Sequence, residues 1–170
     1  MASKHAKAAM QIAPKSSEAR FFRGMIALLE KEYEAAEPYL EAAVKRSPGN
    51  FPYSNNLVLA LIGQEDESKN RRALELAEAN VKQYPKSADA AVTYGWVLYK
   101  LGRLDDAEKA LRGASSIVHS DVDAAYVAAR VAIDRGRKAE AKAMLESALK
   151  GAMPFVFRQD AEELLGELKK

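Results

Sequence analysis

A chain of 170 residues with 48% apolar and 29% charged side chains can bury an ordinary core, which excludes a disordered tail. Twenty-six basic against 24 acidic residues leave a net charge of +2, so the balance gives no reason to expect nucleic acid or an acidic membrane as partner. There is no cysteine, and His5 and His119 are the two histidines, so disulfides, thiolate metal sites and cysteine nucleophiles are excluded and no cofactor is expected. No apolar run approaches the ~20 residues that a membrane span needs. The first 16 residues lack the apolar stretch of a signal peptide. The expected compartment is the cytoplasm, with earlier removal of a signal segment left open.

Thirty-two alanines favour closely packed helices, and no segment alternates apolar and polar residues long enough for a strand. In chain order, residues 1–16 hold AKAAMQIAP, at most a lone helix, read as the second helix of a truncated preceding unit. Residues 17–50, 51–87, 88–121 and 122–153 then each predict a helix, a tight turn, a second helix and a turn near proline. The spacing that sets these bounds is that of Pro14, Pro48 and Pro85, 34 and 37 residues apart. A further 34 residues falls on His119, and another 34 on Met153 beside Pro154. Gly24 and Gly95 stand eighth in their units, with Val58 and Ala129 in the same place. Ala36, Ala73, Ala107 and Ala141 form a second column. Leu40, Ala77, Leu111 and Leu145 form a third, and Ala43, Asn80, Ala114 and Ala148 a fourth. Gly102 and Gly136 close first helices in KLGRLDDA and DRGRKAEA. The second unit is three residues longer, within GQEDESKNRR, and Ser68 or Asn70 is the expected helix cap there. Residues 154–170 carry Phe157, Ala161, Leu164, Leu165 and Leu168 on one apolar face, which predicts a terminal capping helix.

This period and these columns resemble the tetratricopeptide repeat family, most clearly in RGMIALLEKEYEAAEPYLEAAVKRSP and YGWVLYKLGRLDDAEKALRGA. The resemblance implies an all-α, right-handed α-α superhelix of about four helical hairpins plus the capping helix, in one domain over residues 1–170. It covers residues 17–150. The bulky aromatic usual early in the first helix is replaced by Arg20, Ser54, Ala91 and Ala125. A chain that begins within a repeat is expected to be a fragment or processed form of a longer repeat protein.

In such a family the first helices line a concave groove. The resemblance places Phe21, Met25, Asn55, Leu59, Val92, Trp96, Tyr99, Tyr126 and Arg130 along it as candidate peptide-binding residues, with Leu29, Ile62 and Ile133 beside them. Trp96 and Tyr126 are the expected exposed anchors, since aromatic side chains carry much interface energy. The alternative is that the strip packs on itself or under the terminal helix. Asn55 and Asn56 could orient a peptide backbone, or serve a helix end or face solvent. Family members that grip a chaperone's terminal carboxylate use Lys, Asn and Arg at spaced groove places. Phe21, Met25, Leu59, Asp89 and Thr93 stand there instead, so that partner is not expected. His119 has neither a nucleophile nor a second ligand beside it in the sequence, and no phosphate-binding glycine loop or catalytic motif occurs. The expected function is a non-catalytic protein–protein interaction scaffold for a peptide or helix of another protein. Self-assembly with copies of itself, through the groove or through the open N-terminal end, or service as a non-catalytic arm of a larger protein, is the alternative.

Overall fold

The computed structural model describes residues 16–151 and 156–170. The truncated half-unit expected over 1–16, apart from Ser16, and the unit boundary expected at 153 and 154 lie outside the described residues. The described residues form helices and turns without strands. The chain divides at Asn80 and Val81 into two compact units. The first holds α1 (Ser17–Leu29), α2 (Tyr33–Arg46), α3 (Phe51–Ile62) and most of α4 (Glu67–Gln83). The second holds α5 (Ala88–Lys100), α6 (Leu104–Leu111) with a 3-10 turn at Arg112–Ala114, α7 (Val122–Asp134), α8 (Lys138–Ala148) and α9 (Arg158–Leu168).

The same local devices recur and explain where each first helix starts. Ser16, Asn50, Ser87 and Asp121 all hold extended backbone, and their side chains accept from the N–H of Ala19, Tyr53, Ala90 and Ala124. Each thereby satisfies one of the donors that a helix start leaves open. The helix ends also repeat. Lys31, Glu65, Gly102 and Gly136 have φ of 58°, 57°, 72° and 76°. Behind three of these left-handed residues, Glu32, Arg103 and Arg137 donate back to the carbonyls of Ala27, Leu98 and Ala132 at 2.8–2.9 Å. Such a reversal closes a helix and sends the chain antiparallel into its partner.

The small-residue columns sit where helices cross. A Cβ built on Gly24 would lie 2.5 Å from Leu40 Cγ, and one on Gly95 would lie 2.9 Å from Leu111 Cγ. Val58 and Ala129, at the same place in their repeats, are fully buried. Ala36, Ala73, Ala107 and Ala141 are fully buried on the second helices. Helix α4 begins six residues before Ala73, whereas α2, α6 and α8 begin three residues before their alanines. The three extra residues are thus an added first turn of α4. Its cap is Asp66 rather than Ser68 or Asn70: Asp66 Oδ1 accepts from Lys69 N at 3.0 Å and from Ser68 Oγ at 2.5 Å.

That extra turn brings Lys69 onto Glu37 of α2, with which it forms an ion pair. Gln64 donates to the other carboxylate oxygen at 2.8 Å, and Arg72 stands 3.8 Å away. Burial pushes the Glu37 carboxyl up, but Lys69, Gln64 and Arg72 together outweigh it and hold the group below its ordinary value. Pro38 lies inside α2 on its exposed side, where the loss of one backbone donor is tolerated.

Candidate functional site

The nine candidate residues fall into two groups, four in the first unit and five in the second. In the first unit, Phe21 on α1 packs its ring 4.7 Å from Tyr53 on α3, and Phe22 lies 5.8 Å from Phe21. Met25 is half-buried, and Leu59 is buried. Asn55 is half-buried, and its side-chain oxygen has no hydrogen-bond partner among the described residues. Asn56, by contrast, donates to Pro52 O at 2.8 Å, so its amide serves its own helix. Tyr53 belongs to this cluster although the sequence columns do not single it out. Burial, then the charge of Glu18, raises its hydroxyl above the ordinary value. Among the described residues, Phe22 and Leu29 are the large apolar side chains left exposed, at 54% and 38%.

In the second unit the candidates form one aromatic cluster. Trp96 stacks on Tyr99 at 5.5 Å, both on α5, and lies 5.7 Å from Tyr126 on α7. Val92 is buried one turn before Trp96. Arg130, one turn after Tyr126, places its guanidinium 5.8 Å from the Tyr99 ring and donates from Nε to Tyr99 Oη at 3.3 Å. Lys100 Nζ lies 5.9 Å from the Trp96 ring.

Phe157 changes this picture. Its ring sits 5.0 Å from both Trp96 and Tyr126, almost parallel to the latter. Tyr126, expected as an exposed anchor, is therefore buried at 7%, because the segment entering α9 covers it. Trp96 is covered on one side and keeps partial exposure. The expected terminal helix thus packs on α7 and α8 and, through Phe157, fills part of the aromatic face.

The entry into α9 is held by Asp123 in the first turn of α7. Asp123 Oδ1 accepts from Phe157 N at 2.8 Å, and Oδ2 accepts from Val156 N at 3.3 Å. Burial pushes this carboxyl up to about 7, assisted by the charges of Asp121 and Asp160 and opposed by the two backbone donors. Arg158 completes the clamp by donating to the carbonyls of Leu149 and Gly151, at 3.3 and 2.6 Å, at the end of α8. These contacts span up to 34 residues of sequence, and helical periodicity carries no signal for them.

The remaining chemistry is sparse. No three carboxylate or histidine side chains among the described residues stand close enough to hold a metal ion. His119 is exposed in the turn before α7, and its carbonyl accepts from Ser147 Oγ at 2.9 Å. A depression of about 540 Å³ on the first unit is lined by residues 31–35, Gly63 and Gln64, none of them a candidate. Among the described residues no helix is long and apolar enough to cross a membrane. What the second unit offers is a half-open aromatic surface edged by cations.

The family model described as anaphase-promoting complex, cyclosome, subunit 3 matches residues 66–148, and a tetratricopeptide repeat model matches residues 3–51. No curated protein matches the sequence significantly. Among solved structures, the chain is similar to a thermophilic tetratricopeptide repeat protein of Thermus thermophilus, with TM-score 0.76 and 21% identity over 96% of this chain and 87% of that one. A tetratricopeptide repeat protein of Parabacteroides merdae matches with TM-score 0.75 and 10% identity, over 97% of this chain and 62% of that one. YrrB, described as a tetratricopeptide repeat protein with an unusual peptide-binding site, matches with TM-score 0.55 and 19% identity, over 96% and 79% of the two chains. At these identities the likeness shows an all-α helical-repeat fold.

Proposed function

The chain belongs to the tetratricopeptide repeat family, and from that premise we propose that it is a non-catalytic module binding a peptide or helix of a partner protein. Repeats of this fold generally mediate protein–protein interaction. The observation that carries the reading is the partial exposure of Trp96 and Tyr99 beside the buried Tyr126 and Phe157. A large ring left half-open, stacked on Tyr99 and walled by Phe157, is a site where a partner side chain gains contact area with little reordering. Trp96, Tyr99 and Arg130 form the accessible part, and Val92 and Tyr126 form its floor. Phe21, Met25, Asn55 and Leu59 lie on the first unit, and the same reading extends to them.

Trp96 is the single tryptophan, so fluorescence reads this site directly. Acrylamide should quench it partially in the free protein, and a bound peptide should protect it. Trp96→Ala should weaken such a peptide by ~2 kcal/mol or more, as loss of a central aromatic anchor does. A Trp96 fully shielded in the free protein would remove the reading. Self-assembly is the second reading, favoured by the exposure of Phe22 and Leu29 on α1. Light scattering across concentration separates the two, since a strict monomer leaves no place for self-assembly.

A further inference from the structure

The class of partner follows from what stands beside the open end of the aromatic face, and this inference rests on the peptide-binding reading above. Phe157 and Asp123 close the end near the start of α7. The other end holds Tyr99, Lys100 and Arg130. A guanidinium has five N–H donors, and Arg130 commits its Nε to the Tyr99 hydroxyl. No carboxylate of the described residues forms an ion pair with Arg130. Asp134, one turn further along α7, is exposed and acts on it through longer-range charge. Arg103, Arg135 and Arg137 of the same unit, by contrast, each pair with carboxylates. Lys100 adds a second cation over the Trp96 ring.

A half-buried arginine without a carboxylate has lost part of its hydration without full return. The rings beside it exclude water and strengthen any charge that arrives. We propose that the second unit recognises an acidic–apolar peptide, in which an Asp or Glu side chain pairs with Arg130 while an apolar or aromatic side chain packs on Trp96. Trp96 and Arg130 both stand on Tyr99, 5.5 and 5.8 Å from its ring, so the indole ring and the guanidinium are at most about 11 Å apart. One turn of helix, about 5–6 Å, or two to three residues of extended chain, about 7–10 Å, places an acid and an apolar side chain within that span.

The test uses synthetic peptides of about 12 residues, amidated at the C-terminus so that the acid comes from a side chain alone. Each carries one Asp or Glu and one Phe, Trp or Leu, two to four residues apart, and has an Asn or Gln counterpart. Fluorescence anisotropy measures binding to the wild type and to Arg130→Gln, Arg130→Lys and Trp96→Ala, with circular dichroism confirming that each variant folds. The acidic peptides should bind the wild type roughly tenfold more tightly than their amide counterparts, and more weakly as salt rises. Arg130→Gln should erase that preference, and Arg130→Lys, which keeps the charge without the fork, should retain part of it. Equal binding of acid and amide peptides, with Trp96→Ala still weakening both, overturns the acidic preference and leaves the aromatic site standing. If no peptide binds the wild type, or Trp96→Ala changes nothing, both fail together.

Discussion

Lys31, Glu65, Gly102 and Gly136 occupy the same place in their repeats, and each turns the chain with a left-handed backbone. For a residue with a side chain that conformation costs about 1–2 kcal/mol, because Cβ crowds the following carbonyl. A Cβ on Gly102 would meet nothing within 4 Å, so a loss on substitution there comes from the backbone alone. Gly102→Ala is expected to destabilise by ~1 kcal/mol, and Lys31→Gly to stabilise by ~0.5–1 kcal/mol, since glycine returns part of the gain as unfolded-chain entropy. Gly95 is a different case, because its substituent would press on Leu111 at 2.9 Å. Gly95→Leu is expected to destabilise by ~2 kcal/mol or more through overpacking. Thermal melts by circular dichroism rank the three. A Gly102→Ala loss as large as that of Gly95→Leu would mean that crossing geometry does not set the cost at Gly95. The glycines at 102 and 136 announce their turns in the sequence. Lys31 and Glu65 do not, because a charged residue carries no signature of a left-handed turn, and the structure alone aligns all four.

Among the elements, α9 depends most on a single distant side chain. Its apolar face is legible from the spacing of Phe157, Ala161, Leu164 and Leu165, all of which are buried. What covers what is not legible, because Asp123 reads as an ordinary first-turn acid, favourable to the helix dipole. Its carboxyl stands at about 7 in the folded protein, well above the ordinary carboxylate range. Between roughly pH 4 and 7 the folded state therefore holds a proton that the unfolded state has released, so this group's contribution falls as pH rises through that window. Asp121, raised first by burial and then by the charge of Asp89, acts with the same sign. Glu37 acts oppositely: its contribution is present above the ordinary glutamate value and fades only as the medium becomes more acid. Melts taken from pH 5 to pH 8 should thus show a decline that Asp123→Asn flattens. The asparagine keeps an oxygen for Phe157 N–H without a charge to bury but sets its NH2 against Val156 N–H, so it should be the more stable protein at pH 8 by only ~1 kcal/mol. The same pH slope in both proteins would show that Asp123 is solvated and that the clamp on α9 is weak.

On the scale of the whole molecule, the period of about 34 residues is readable because every repeat must bury its own hairpin and then its neighbours with the same small residues. That demand writes Gly24, Gly95 and the buried alanines into fixed columns. The candidate face is readable only as a direction on each first helix. A helical pattern says which side is apolar and nothing about whether a partner or the chain itself will cover it, so Tyr126 reads as an open anchor although Phe157 is seated on it. Removal of residues 156–170 tests that arrangement. Helix α9 packs on both α7 and α8 and buries Phe157, Ala161, Leu164 and Leu165 there. Its loss strips cover from the last hairpin and leaves Tyr126 and the second side of Trp96 open to water. The truncated chain should melt at least ~2 kcal/mol less stable, since burying each large apolar side chain is worth ~1.5–3 kcal/mol before the entropy of ordering the helix is subtracted. Trp96 emission should shift to the red and its quenching by acrylamide should rise, and scattering should show association through the uncovered face. A truncated protein that melts like the full chain, with the same tryptophan spectrum, would show that α9 is a tail and that Phe157 leaves the aromatic face unchanged.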